Sequence, residues 1–336
     1  MSNPRKASVV LSKIGSKKDR YLTDYLESFS LTDVAENGSD SVSVTLNNLN
    51  KKFLSGWLPG KGEQYAAFIV TENWNKESEK KTFFNGTFTL DDYSISGRPL
   101  TASLEMVSAP ASSSFSTKER TKTWKSITIQ QIAKKIANRY KLKLVYEADT
   151  ITINTLEQNN KADSTFLNDL CTDYGIAMKI FANKLVLYKE ANYEARKAVL
   201  TIDETDMEPN WSINDTLAGT YTGCKYSYTD PKTNKTVKVQ VGKGSRWLTV
   251  NGEASSKADA QKKAYAAVNE SNKNQTRIKF EVFPNPKIIA TACIKLTGLG
   301  NLSGKYFVTS VTHNVTPKGY KMSVEARKVQ QRLPKK

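Results

Sequence analysis

Both ends of this chain of 336 residues are patterned in period two. Val42, Val44 and Leu46 alternate with polar neighbours, as do Phe84, Phe88 and Leu90 around Gly86, and then Ala102, Leu104 and Met106. The pattern returns at Val237/Val239/Val241, Ile278/Phe280/Val282, Ala292/Ile294/Leu296, Tyr306/Val308 and Tyr320/Met322/Val324. Successive side chains of a strand point to opposite faces, so alternation means one dry face and one wet face, as in antiparallel sheets or barrels. Turn clusters punctuate the strands: AENGSD (35–40), LPGKGE (58–63) and Asp230-Pro231 after Tyr226 and Tyr228.

The middle of the chain follows a different period. Ile129, Ile132, Ala133, Ile136 and Tyr140 recur at helical spacing, with Thr128 ahead and Gln131 three residues on, a capping box. A strand is predicted over 141–147. Phe166, Leu167, Leu170 and Tyr174 predict a helix over 164–174, stopped by Gly175 in a left-handed conformation. Residues 177–189 predict a hairpin turning at Ala182-Asn183. A Ser/Thr-rich stretch, 108–123, reads as a linker or an extended crossing segment. One late helix is expected behind Ser256 and Asp259, with a narrow stripe of Ala260, Ala264, Ala267 and Val268 suited to close packing on a sheet. The expected division is a β region 1–110, a linker 111–123, an α/β insert 124–200 and a second β region 201–336 with one helix. The fold class is α+β, mainly β.

Composition narrows the chemistry. No run of 18 apolar residues occurs, which excludes a membrane-spanning helix. The start, MSNPRKASVV, lacks the apolar stretch of a secretory signal. Cys171, Cys224 and Cys293 form no CxxC and read as buried reduced thiols. With one histidine, His313, a transition-metal centre is not expected, and no cofactor site is expected either. His313 shares strand parity with Phe307, Val311 and Val315, which predicts a hydrogen-bonded, partly buried ring. GLGNLSG (298–304) has strands on both sides, so it reads as a turn and not as a nucleotide loop, and VGKGSR (241–246) lacks the Walker spacing. Asp91-Asp92 and Asp203-Glu204 with Asp206 are candidate acid/base pairs for glycoside hydrolysis, although solvated turn carboxylates are the default. Trp57, Trp74, Trp124, Trp211 and Trp247 read as anchors of core edges or interfaces.

The net charge of +17 is uneven: zero over 1–110, +6 over 111–200 and +11 over 201–336. Lys225, Lys232, Lys235, Lys238, Lys243 and Arg246 crowd one hairpin region opposed only by Asp230. Without an aromatic-basic motif they suit an acidic protein surface better than nucleic acid.

The segments 51–70 and 83–110 resemble the N-terminal domain of phage late-control protein D hubs. Trp57, Pro59 and Gly62 stand in that family's Trp-x-Pro-x-x-Gly turn, and Gly86, Phe88, Leu90 and Asp91 in its Gly-x-Phe-x-(Leu/Ile)-Asp strand. Trp124 with Thr128, Ile129, Ile132 and Ala133, then Phe166, Leu167, Leu170 and Tyr174-Gly175, match its two middle helices. Gly304, His313 and Gly319-Tyr320 match its closing hairpin. The resemblance covers most of the chain in the right order. It implies two tail-tube-like β-barrels per chain with the α/β insert between them. It further implies a homotrimer whose six barrels meet a sixfold tail tube on one side and a threefold spike on the other. The implied role is a non-enzymatic baseplate hub of a contractile phage, a phage-tail-like bacteriocin or a type VI secretion spike, assembled in the bacterial host cytoplasm. The implied partners are the tail tube protein, the central spike, and baseplate wedge and tape-measure proteins, with no small-molecule substrate and no stable nucleic-acid binding. Two other readings stay open on the residues alone. One is a tail-associated peptidoglycan hydrolase using Asp91, Asp92 or Asp203; the other is a basic nucleic-acid-binding module.

Overall fold

The computed structural model describes residues 3–334 except 16–18, 22, 37, 75, 109–113 and 231. The N-terminal region contains strands β1 (Lys6–Lys13), β2 (Asp19–Tyr21), β3 (Leu26–Val34), β4 (Gly38–Ser39), β5 (Ser41–Asn47), β6 (Gln64–Glu72), β7 (Lys80–Ser96) and β8 (Thr101–Val107). The antiparallel order β3-β5-β8-β7-β6-β1-β2 curls around one core that includes Val9, Phe29, Val44, Ile69 and Phe88. The period-two pattern is the cause: in β5, Val42, Val44 and Leu46 are buried while Ser41, Ser43 and Thr45 are only half-buried.

Strand β7 carries one extra residue opposite β6. Ala67 pairs with Gly86 and Phe68 with Phe84, so Asn85 bulges and its Oδ1 accepts the Ile69 N–H (3.1 Å). Gly86 has φ +126°, and a Cβ there would lie 3.3 Å from the Phe88 ring. Gly86→Ala is therefore expected to destabilise the fold by about 1–2 kcal/mol, read as a lower urea midpoint at constant slope. An unchanged midpoint would mean that the bulge relaxes freely.

The insert contains α1 (Ser114–Thr117), β9 (Glu119–Thr128), α2 (Ile129–Arg139), β10 (Lys143–Glu147), β11 (Thr152–Ala162), α3 (Asp163–Asp173), β12 (Ile176–Phe181), β13 (Lys184–Lys189) and α4 (Glu190–Glu194). Of the expected linker or extended crossing segment, 111–113 lies outside the described residues, and 114–123 contains α1 and the first half of β9, which pairs antiparallel with β11 as a two-stranded ribbon. Most side chains of β9 are exposed, so no alternation marks it as a strand. The predicted capping box is present: Thr128 Oγ1 accepts the Gln131 N–H (3.2 Å) and Gln131 Oε1 accepts the Thr128 N–H (3.0 Å). Ala182 and Asn183 take φ 45° and 63°, which makes a tight two-residue hairpin between β12 and β13. Trp124, Ile132, Ile136, Leu167, Leu170 and Leu187 form part of the insert core. Strand β4 joins the insert's sheet in the order β10-β13-β12-β4 and clips it to the first region.

The last region contains β14 (Thr201–Asp203), β15 (Ser212–Asp215), β16 (Gly223–Thr229), β17 (Thr236–Gly242), β18 (Trp247–Asn251), α5 (Lys257–Asn272), β19 (Thr276–Val282), β20 (Cys293–Thr297), β21 (Gly304–Thr316) and β22 (Gly319–Lys328). Two barrels were expected, and among the described residues the hydrogen-bond ladders close neither. Instead β21 pairs with β3, Leu31 opposite His313, so both β regions belong to one 13-stranded sheet among the described residues. Strand β1 lies against β21 and β22 without a ladder to either. Phe280, Ile294, Leu296, Val308 and Val324 belong to the core beneath the C-terminal half of this sheet. The remaining strands form a separate sheet, β17-β16-β18, covered by α5. Ala260, Ala264 and Val268 face that sheet as the stripe predicted, whereas Ala267, expected with them, is only half-buried. Lys263 and Ala266 are buried as well, because α5 also packs on α3: Lys263 pairs with Asp173 (3.0 Å) and the Tyr174 hydroxyl donates to Asp259 (2.8 Å). No helix among the described residues is long and apolar enough to cross a membrane.

Candidate functional site

The first of the motif turns is held at both of its ends. Trp57 packs edge-on against Tyr25 and Phe53 (ring centroids 5.6 and 5.7 Å apart), with the Lys52 ammonium 4.9 Å from its ring centre. Pro59 and Gly62 make the turn that follows, and the Gly62 N–H donates to the Leu90 carbonyl (2.8 Å), tying the turn to β7. Phe88 is buried in the core. Trp124 is buried in the insert and stacks on Phe166 with 9° between the planes. Gly175 and Gly304 have φ +66° and +145°, so both hold conformations that favour glycine. His313 Nδ1 lies 2.7 Å from the Tyr320 hydroxyl, and burial lowers the ring's pKa to about 4, which keeps it neutral at pH 7.

The acidic candidates serve as turn and surface groups. Asp91 and Asp92 are both exposed on β7, and Asp92 faces Lys61 at 3.4 Å. Asp203 accepts from the Thr205 N–H and from the Thr297 hydroxyl (2.7 Å), and these bonds hold its carboxyl below the usual carboxylate range. Asp206 caps the Asp203 N–H (3.0 Å), and Glu204 accepts from the Trp211 indole (2.9 Å). All three cysteines are buried free thiols, with Cys224 pushed up to about 11 by burial.

The six basic residues of 225–246 do not make one face. Lys225 and Lys238 share the open side of the β16–β17 sheet, opposite α5, with the Lys225 ammonium 5.4 Å from the Trp247 ring centre. Lys232 and Lys235 lie in the turn at one end, where Asp230 accepts the Lys232 N–H (2.8 Å). Lys243 is at the other end, and Arg246 is spent on the Thr220 hydroxyl (2.8 Å).

The strongest electrostatic feature has no sequence signature. Lys273, just past α5, donates to Glu36 (2.5 Å) and Glu190 (3.4 Å) and pairs with Glu270 (2.8 Å). Arg327 on β22 pairs with Glu190 (3.0 Å) and Glu194 (2.6 Å), and Arg332 holds the same two carboxylates (2.8 and 2.6 Å). Glu36 follows β3, Glu190 and Glu194 form α4, and the cations come from the last region, so the network joins all three parts of the chain. The carboxylates of Glu36, Glu190 and Glu270 converge within 4.8 Å of one another, and the Lys273 ammonium bonds all three.

Four carboxylates face three cations here, which leaves one acid in excess. Burial would raise Glu190, but Arg327, Lys273 and Arg332 outweigh it and hold it at about 2. Glu36 is the odd one out: burial, with Glu190 beside it, pushes it up to about 7. A smaller seam repeats the arrangement. Lys179 of β12 is hydrogen-bonded to Asp33 of β3 and lies 3.1 Å from Asp40, and burial pushes Asp40 up to about 7.

No protein-family model matches the sequence, and no curated protein matches it. Solved structures do match its fold. The alignment covers 96% of this chain and 98% of the prophage MuSo2 43 kDa tail protein from Shewanella oneidensis, with TM-score 0.70 and 13% identity. It covers 96% of both this chain and the tail protein of Neisseria meningitidis MC58, with TM-score 0.72 and 12% identity. This chain has a phage tail-protein fold. The tail-protein fold also extends to E. coli c3393, a component of the type VI secretion system with structural similarity to the T4 tail proteins gp27 and gp5 (TM-score 0.60, 10% identity, 96% of this chain and 77% of that chain). The resemblance carried by Trp57, Gly86, Trp124 and their neighbours therefore holds at the level of fold.

Proposed function

We propose that this chain is the structural baseplate hub of a contractile phage tail or phage-tail-like particle, a non-enzymatic homotrimer adapting a sixfold tail tube to a threefold spike. The observation that carries the reading is the β3–β21 ladder, which joins two β regions in one open sheet. Two β units per chain, 1–110 and 201–336, would give six in a trimer, one for each tube subunit, while the trimer itself matches a threefold spike. The edges at β2 and β15, unpaired among the described residues, are a liability in an isolated chain, and strands of neighbouring protomers would cover them. The insert, 124–200, is braced against both units by the Lys273–Arg327–Arg332 network. This suits a joint that passes force without changing angle. Trp57, Pro59, Gly62, Gly86, Phe88, Asp91, Trp124, Gly175, Gly304 and His313 act in this reading as structural positions.

The partners would be the tail tube protein, the central spike, and wedge and tape-measure proteins, in a particle assembled in the host cytoplasm. The open face bearing Lys225 and Lys238 would meet an acidic partner surface, with no stable nucleic-acid binding. Light scattering on the purified chain, alone and with its spike, tests the reading. A mass near three times 37.5 kDa supports it. A chain that stays monomeric with the spike present and clears cell walls would overturn it.

A further inference from the structure

Away from the ion-paired junction, a groove of about 690 Å³ opens between the β6–β7 hairpin and the loop after β19. Trp74 stacks on Phe283 (centroids 4.9 Å apart, 21° between the planes) and leans on Tyr320 (5.6 Å). His313, bonded to Tyr320, adds a neutral wall. Three large apolar side chains around the opening stay about half exposed: Phe84 (53%), Phe283 (50%) and Ile289 (53%). Aromatic residues gathered in one exposed concavity are the composition of an interface centre, where anchors of a partner are buried.

The charges of this groove have one sign. Its lining includes Lys81 and Lys287 and no acidic residue, and the Arg5 guanidinium sits 4.8 Å from the Phe283 ring centre. Lys81 is paired with Glu79 (2.8 Å), whereas Arg5 and Lys287 have no carboxylate partner among the described residues. Much of the polar lining is already engaged. Asn85 Oδ1 accepts the Ile69 N–H, Asn285 Oδ1 accepts the Lys287 N–H, and His313 is bonded to Tyr320. Such a lining offers few groups to orient a small polar ligand.

We propose that this groove docks a segment of another protein of the particle, with apolar side chains entering between Phe84 and Phe283 and adjacent carboxylates meeting Arg5 and Lys287. The proposal rests on the hub reading only in placing the partner within the particle. A second copy of this chain fits less well. The exposed leucines of its 48–63 loop, Leu49, Leu54 and Leu58, stand beside Lys51, Lys52 and Lys61, which would bring like charge to the rim.

The test uses the full chain, immobilised, and a display library of random 12-residue peptides as the probe. Recovered peptides are then titrated against the wild type, Phe84→Ser and Lys287→Glu. The expected peptides combine aromatic residues with Asp or Glu. Phe84→Ser should weaken them by about tenfold or more, and Lys287→Glu by about fivefold, with the Lys287 effect shrinking as salt rises. Both positions are exposed, so the variants should keep the wild-type mass and melting temperature. The proposal is overturned if no peptide is recovered, if the peptides are basic, or if both variants bind them unchanged. It is also overturned if Phe84→Ser dissociates an oligomer, which would make the groove a contact between copies. A monomeric chain that binds acidic-aromatic peptides would remove the hub reading and leave the groove; a trimer that binds none would do the reverse.

Discussion

Replacing Arg327 with leucine is expected to cost about 3–5 kcal/mol of folding stability. Arg327 is 1% exposed and its guanidinium bridges Glu190 and Glu194, both nearly as buried. Leucine restores apolar volume but leaves Arg332, which is only partly buried, and Lys273 to neutralise carboxylates that water cannot reach. The loss should appear as a lower urea midpoint. A variant with an unchanged midpoint would mean that Arg332 and Lys273 satisfy both acids.

Glu36→Gln should behave in the opposite sense. The folded pKa of Glu36, about 7, lies above its unfolded value of 4.5, so its contribution is fully present below 4.5 and is lost as pH rises through 7. The variant should therefore match the wild type near pH 4 and be the more stable of the two at pH 8. Equal stability of the two chains at both pH values would remove the excess-acid account.

Asp163→Leu is expected to cost a similar amount, about 3–5 kcal/mol, through the insert. The carboxylate, fully buried at the first position of α3, accepts from Arg120 (3.1 Å), Tyr140 (2.7 Å), Gln158 (2.9 Å) and Arg139. These donors come from β9, from α2 and the residue after it, and from β11, so losing the acceptor loosens the base of the insert. Burial pushes Asp163 up, but its bonds to Gln158, Tyr140 and Arg139 outweigh this and hold it below the ordinary value of 3.8. Its contribution is accordingly present above about 3.8 and lost as pH falls below that. The variant should lose amide-exchange protection in α3 and β11 at pH 7, and its stability should depend less steeply on acid than that of the wild type. Unchanged protection of α3 would show that the four donors find water instead.

Local patterning was legible in the residues because its causes are local. The Thr128–Gln131 capping box, the tight turn at Ala182-Asn183 and the stripe Ala260/Ala264/Val268 depend on neighbours a few positions away. The exposed β9–β11 ribbon was not legible, since a strand wet on most of its length carries no period-two signal and its Ser/Thr content imitates a linker.

The sequence by itself determined the strands and helices whose apolar residues alternate in period two or recur at helical spacing, and it carried enough motif to point to a tail-protein fold. Only the tertiary structure decided that two β regions share one sheet, because Thr32 and Thr312 face each other across 280 residues of chain and a strand's pattern names its buried face, not its partner. It also decided which charges matter. Lys273, Glu36, Glu190 and Arg327 read along the chain as ordinary surface groups. Nothing in a side chain's identity records whether folding will remove it from water, and it is that removal which turns these residues into the joint of the molecule.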